Sequence, residues 1–248
     1  MTASKVISIV REPMFDAVHG TDTATRVQVH DTDASGPNVA YAVDYEPTSY
    51  HEARALFQRL RLTDVHGAFV DFGCGKGRML LLATEYSFGR IVGIEFSQQL
   101  CDTARANVQK YCSSTEERVE ILNEDAASYE LSDDEVVFFF FNPFAEAVMS
   151  MVLESIYRSL RRRNRQVWVI YNNPRCRALF ESGGVFLKVD EHRLPRTRAF
   201  VYTNVGTDPR SVRSLLPERR ADVPGAGEAT ERVGADGCTP VRSSSSGR

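Results

Sequence analysis

Paired cysteines are missing from this 248-residue chain: its five, Cys74, Cys101, Cys112, Cys176 and Cys238, lie far apart with no C-x-x-C pair. That spacing suggests neither a zinc site nor a disulfide framework, so no bound metal is expected and a reducing cytoplasm suits the thiols. Long apolar runs are missing as well. The most apolar stretch, Val136 to Phe141, is far shorter than the roughly 20 residues a membrane helix needs, and MTASKVISIVREPM at the start holds no sustained apolar region. The expectation is a protein neither secreted nor inserted in a membrane. A large excess of either charge is also missing. With 25% charged residues and a net charge of −3, nothing overall points to nucleic acid. Aromatic residues stop before Gly206. Residues 206–248 are rich in Gly, Pro, Ser and Arg and end in SSSSGR. They are predicted to form a largely disordered tail, because so little apolar surface cannot offset the entropy of ordering.

What the chain does have is concentrated between Phe69 and Arg78, FVDFGCGKGR. An apolar run enters Asp71, and Gly73, Gly75 and Gly77 then open the apolar segment MLLLA, which reads as strand, tight turn and helix. Glycine allows positive φ and close backbone approach, and a following helix offers unpaired donors, so a nucleotide-like cofactor fits such a turn. The dinucleotide fingerprint G-x-G-x-x-G fails at its last position, where Arg78 stands, and this disfavours a dehydrogenase. Glu95 ends the next apolar strand, IVGIEFS, about 20 residues on, where an acid accepts ribose hydroxyls.

Asp-x-Gly-x-Gly-x-Gly followed by a strand-final acid resembles motif I and its partner in the class I S-adenosylmethionine-dependent methyltransferases. FDAVHGTDT, residues 15–23, with DYEPTSY, residues 44–50, resembles the lead-in of an uncharacterised bacterial group within that family, over most of residues 15–204. The resemblance implies S-adenosyl-L-methionine as cofactor. It implies contacts from Asp71, Gly73, Gly75, Gly77, Glu95 and Phe96, and contacts to the adenine from Asp125 and Ala126 after VEIL. Those two also read as a turn with exposed acids. In related methyltransferases the loop before the first helix covers the methionine end of the cofactor, which brings in Tyr45 and Thr48; the same residues read equally as a capped turn.

Pattern alone supplies the architecture. Ser49 and Glu52 form a capping-box pattern ahead of Ala53, Leu56, Phe57 and Leu60, predicting a helix over 50–62. Strands at 68–72, 90–95, 118–122, 135–141 and 166–171 alternate with helices at 77–86 and 98–111 and with a helix burying Val148, Met151, Val152, Ile156 and Leu160. VFLKVDEH and AFVYTNV make a closing pair. The prediction is an α/β, Rossmann-like, seven-stranded, mostly parallel sheet with helices on both faces. By resemblance its last strand is antiparallel. Residues 1–45 read as an extension laid over a methyltransferase domain at 46–205.

Asn142-Pro143-Phe144 ends strand four and resembles the (Asp/Asn)-Pro-Pro-(Tyr/Phe) box of amino-group methyltransferases, with one proline missing. There the Asn side chain and the following carbonyl orient the target nitrogen and the aromatic ring stacks on it; here the residues also read as a strand-to-helix turn with a helix-starting proline. If a base is needed, His192 and Tyr171 are the nearest candidates. Five arginines in RSLRRRNR, residues 158–165, suit a helix C-terminus better than a nucleic-acid surface, whereas Arg193, Arg196 and Arg198 sit where an anionic substrate could bind. The reading is a methyltransferase acting on a nitrogen of a small molecule or protein side chain. The alternative is a module that binds S-adenosylmethionine and transfers nothing.

Overall fold

Alternating apolar segments in the chain become neighbouring strands in the fold. The computed structural model describes residues 14–59, 65–112, 116–194 and 197–204; the tail expected to be disordered, the end of the helix expected to reach Leu62, and Arg196 lie outside the described residues. In chain order the elements are α1 (Tyr50–Arg59), β1 (Ala68–Phe72), α2 (Arg78–Ala83), β2 (Arg90–Glu95), α3 (Gln98–Tyr111), β3 (Val119–Asn123), β4 (Glu135–Phe141), α4 (Glu146–Arg162), β5 (Trp168–Asn172), α5 (Arg177–Ser182), β6 (Leu187–Arg193) and β7 (Arg198–Thr203). The strands form one seven-stranded sheet in the order β3-β2-β1-β4-β5-β7-β6. β1 to β5 are parallel and β7 is antiparallel to both of its neighbours.

Side-chain alternation along each strand feeds two cores. Val70, Phe72, Phe138 and Phe140 face α4 and α5, packing on Val152, Ile156 and Phe180. Phe69, Ile91, Val137 and Phe139 face the other way, against Ala53 and Phe57 of α1 and Met79, Leu80 and Leu82 of α2. Buried on both faces, these strands read as unbroken apolar runs.

One helix face differs from expectation. Met151 is 40% exposed, while Met149 and Leu153 are buried. The stripe at 148, 152, 156 and 160 widens through 149 and 153, the positions one residue further round the turn, and 151 falls outside it. The arginines that follow serve the domain itself. Arg162 bonds Asp133 and the Leu131 carbonyl, and Arg165 bonds the carbonyl of Glu135 and the Ser159 hydroxyl, tying the end of α4 to the start of β4.

Strand order reverses beside β1, which lies between β2 and β4. In an open parallel sheet a ligand crevice opens at the carboxyl ends of the strands at such a point.

Candidate active site

The three glycines after β1 are each required by a different neighbour. Gly73, Gly75 and Gly77 have φ of +76°, +53° and +79°, a region that side-chain-bearing residues rarely adopt. A Cβ on Gly73 would lie 2.5 Å from Pro143, one on Gly75 would lie 2.1 Å from the Tyr45 ring, and one on Gly77 would lie 3.1 Å from Ala104. Alternate left-handed residues coil the chain tightly, and three other segments close onto the bare faces. Four of the turn's amides are spent internally. Those of Gly73 and Cys74 reach the Ile94 carbonyl, that of Gly77 reaches the Cys74 carbonyl, and that of Gly75 donates to Glu95 Oε2 at 3.0 Å. They form no cradle for a phosphate, and two buried carboxylates, Asp71 and Glu95, stand beside them.

An open cleft lies here, about 1030 Å³ with the solvent space at its mouth included. Of the predicted cofactor residues, Tyr45, Thr48, Asp71 and Gly73 line it at the turn, and Glu95, Phe96, Asp125 and Ala126 continue the wall across the ends of β2 and β3. Pro143 and Phe144 close the β4 side. Gly75, Gly77 and Asn142 are not on the wall. The first two are covered by Tyr45 and Ala104, and Asn142, with φ +44°, is 6% exposed and has no side-chain hydrogen bond among the described residues. His192 lies on the outermost strand, and neither it nor Arg193, Arg198 or Tyr171 reaches the cleft. Tyr171 is wholly buried, its hydroxyl accepting from the Cys176 amide.

Sequence reasoning missed how the segment before α1 builds the site. Asp16 accepts from the hydroxyls and amides of the following loop (Thr21 and Thr23 Oγ1, both 2.7 Å, and the amides of Thr23 and Ala24), which fixes the HGTDT turn. Burial pushes this carboxyl up, but the Thr23 and Thr21 bonds prevail and hold it below the usual range. The turn then clamps the glycine loop. Asp22 pairs with Lys76 at 2.8 Å, Arg78 Nε donates to Thr23 Oγ1 at 2.8 Å, and the Tyr45 hydroxyl donates to the Thr23 carbonyl at 2.8 Å.

Beyond the clamp, residues 28–44 form a strap pinned at its base by an antiparallel bridge between Val27 and Tyr45. It touches three successive loops. Asp33 accepts from the Ser97 hydroxyl after β2, Asn38 Nδ2 donates to Asp125 after β3, and the Val43 amide donates to the Pro143 carbonyl after β4. The only advance signal was a run of short polar residues, HDTDASGPN, which reads as loop.

Electrostatically the cleft is acidic: six carboxylate side chains and one guanidinium, Arg78, line it. Burial raises Asp71 well above the ordinary carboxylate range, and the neighbouring Glu95 adds to this. Glu95 is pushed up to about 7 by burial, against the amides of Ser97 and Gly75 that favour its charge.

Residues 69–163 match the family model described as a methyltransferase domain. That stretch carries a methyltransferase domain. Over 102 residues it is 30% identical to the ribosomal protein L11 methyltransferase of Yersinia pseudotuberculosis, an alignment that covers 41% of this chain and 33% of that protein. The chain thus spans about a third of the length of the curated relatives it matches. A conserved hypothetical protein of Streptococcus pyogenes superposes with a TM-score of 0.50 at 18% identity, covering 61% of this chain and 94% of the other. A solved segment of StiE O-MT gives 0.50 at 14%, covering 67% and 78%. Both likenesses are of fold alone.

The cofactor of that family is S-adenosylmethionine, and the methyltransferase cleft fits it. Asp71 is 3% exposed and Thr48 is 5% exposed; both line the cleft, and neither side chain has a hydrogen-bond partner among the described residues. A buried carboxylate left so is costly unless a cation joins it, and the cofactor's amino-acid end is an ammonium beside a sulfonium. Among the described residues no cluster could hold a metal ion, and no helix is long and apolar enough to cross a membrane.

Glu95 gives the first quantitative expectation. Glu95→Ala should weaken S-adenosylhomocysteine binding by about 1.5–3 kcal/mol through loss of charge-assisted bonds to the ribose. Since its folded pKa of about 7 exceeds the ordinary 4.5, the folded protein holds the extra proton between those values. Stability from this group is therefore greatest below about pH 4.5 and falls as pH rises through 7. Ribose hydroxyls favour the ionised form, so affinity should rise up to about tenfold from pH 6 to pH 8 in the parent, and the rise should shrink in the variant. Calorimetry at the two pH values checks both; equal affinities of parent and variant would misplace the ribose.

Proposed function

We propose that the chain is an S-adenosylmethionine-dependent methyltransferase whose acceptor is a nitrogen on a small molecule or a protein side chain. One observation carries the cofactor half of this reading. The glycine turn has spent the amides of Gly73, Cys74, Gly75 and Gly77 and set Asp71 and Glu95 beside them, which repels a pyrophosphate and suits a cationic sulfonium with its ribose. Thr48, Asp71 and Glu95 would hold the methionine and ribose ends, and Asp125 with Ala126 would hold the base.

When bound, the cofactor supplies an electrophilic methyl group on sulfur, which an unprotonated amine takes by in-line displacement. The chain's residues need only position the acceptor and exclude water. Asn142, Pro143 and Phe144 are assigned that task. Pro143 and Phe144 stand on the cleft wall, and the Pro143 carbonyl, now accepting the Val43 amide at 3.2 Å, is the acceptor group that an amine would take over as the strap edge yields. The acidic lining favours an amine over an anionic acceptor. The name of the Yersinia relative adds a protein side chain to the candidates.

Calorimetry with S-adenosylhomocysteine and NAD, followed by transfer of tritiated methyl from labelled cofactor into protein, nucleic-acid and small-molecule fractions of a lysate, tests the proposal. Binding of the first ligand alone, with label in amine-bearing protein or small molecules, is expected. NAD binding without S-adenosylhomocysteine binding overturns the cofactor, and label confined to nucleic acid overturns the acceptor.

A further inference from the structure

Asn38 lies outside the matched domain, yet it bonds a residue of the cleft wall. Its Nδ2 donates to Asp125 Oδ2 at 2.7 Å across 87 residues of chain, while Asp125 Oδ1 accepts the Ala127 amide at 2.9 Å. Each carboxylate oxygen is therefore held by one donor, which fixes the plane of the group and leaves further lone pairs on both oxygens. Asn38 and Asp125 both line the cleft, and the Asn38 side-chain oxygen Oδ1 has no partner among the described residues. The segment that carries Asn38 is itself tied down by Asp33, which takes the Ser97 hydroxyl at 2.7 Å and the Gln99 amide at 3.2 Å.

Sheet order says what this wall faces. The ribose acid Glu95 ends β2, and β3 is the next strand outward from β1. A nucleoside with its ribose at Glu95 and its sulfur end at the turn after β1 therefore lays its base across the end of β3. The wall there carries the carboxylates of Glu124 and Asp125, beside the side-chain amide of Asn38. Such a wall suits a base edge that carries an exocyclic amine. An exocyclic carbonyl would set lone pairs against lone pairs and leave buried acceptors unpaired.

We propose that Asn38 is a positioning residue for base recognition, holding the Asp125 carboxylate so that the cleft selects a 6-amino purine nucleoside over its 6-oxo counterpart. This rests on the S-adenosylmethionine reading and adds to it a selectivity element supplied by the strap.

Calorimetry on the full chain with S-adenosylhomocysteine and S-inosylhomocysteine tests the idea in the parent, Asn38→Ala, Asp125→Ala and the double variant. The parent should prefer the amino compound by at least about 30-fold, and Asn38→Ala should cut that ratio to a third or less. In the Asp125→Ala background the Asn38 change should alter the ratio no further. A role confined to tethering the strap would weaken both ligands alike and leave the ratio unchanged, which overturns the inference while leaving the cofactor assignment standing. A parent that binds neither compound sinks the cofactor reading and this inference together.

Discussion

Replacing Gly75 by Ala is expected to lower the melting temperature by roughly 6–12 °C and to abolish measurable S-adenosylhomocysteine binding. Two costs combine. At φ +53° an L-residue pays about 1–2 kcal/mol, and the new methyl would sit 2.1 Å from Tyr45 Cδ2. Tyr45 cannot turn aside cheaply, because its hydroxyl is committed to the Thr23 carbonyl and its backbone is bridged to Val27. Overpacking of this kind costs about 1–3 kcal/mol. A total near 3 kcal/mol converts to the stated shift at about 2–4 °C per kcal/mol for a domain of this size. Binding suffers beyond stability, since Tyr45 anchors one end of the strap and Gly75 donates to Glu95. Adding Tyr45→Ala to the variant removes the clash but not the backbone strain, so part of the melting temperature should return. Scanning calorimetry of the three proteins decides it, and an unchanged melting point for Gly75→Ala would mean that the turn relaxes freely.

Asn142→Gly should slow methyl transfer by roughly 10²-fold or more while leaving cofactor affinity and melting temperature nearly unchanged. Glycine is the right replacement here. Asn142 sits at φ +44°, where Ala would add backbone strain of its own, and Gly keeps the turn while deleting the amide. If the side chain orients the acceptor, only the reacting complex loses by its removal. If it merely shapes the turn before Pro143, Gly should be silent in rate. Single-turnover measurements under saturating cofactor separate these, and a rate within about twofold of the parent removes Asn142 from the acceptor site.

Much of the sheet could be read in advance because β1, β2, β4 and β5 are buried on both faces and so appear as apolar runs bounded by turn residues. The glycine turn and Glu95 were legible for a similar reason: steric demands at Gly73, Gly75 and Gly77 leave no other residue type. Met151 was misplaced because apolar character marks a stripe only to within one helical position, and a surface methionine carries no sign of its exposure. Asp33 and Asn38 were illegible for a deeper reason. Short polar side chains that close long-range contacts look the same in sequence as those that face water, and their partners, Ser97 and Asp125, lie 64 and 87 residues away.

Those separations also order the assembly of the protein. The strap is made first during synthesis, but every loop it grips is encoded after it, the last of them following β4. It must therefore wait, while the central strands pair and collapse, for a surface that does not yet exist. Held by a few polar bonds at its tip, it belongs to the least protected part of the fold, and its amides should exchange with solvent while those of β1 and β4 stay closed. Docking of the strap is then both the final step of folding and the step that completes the ligand cleft, so a ligand that favours the docked state would draw the chain through its last folding equilibrium.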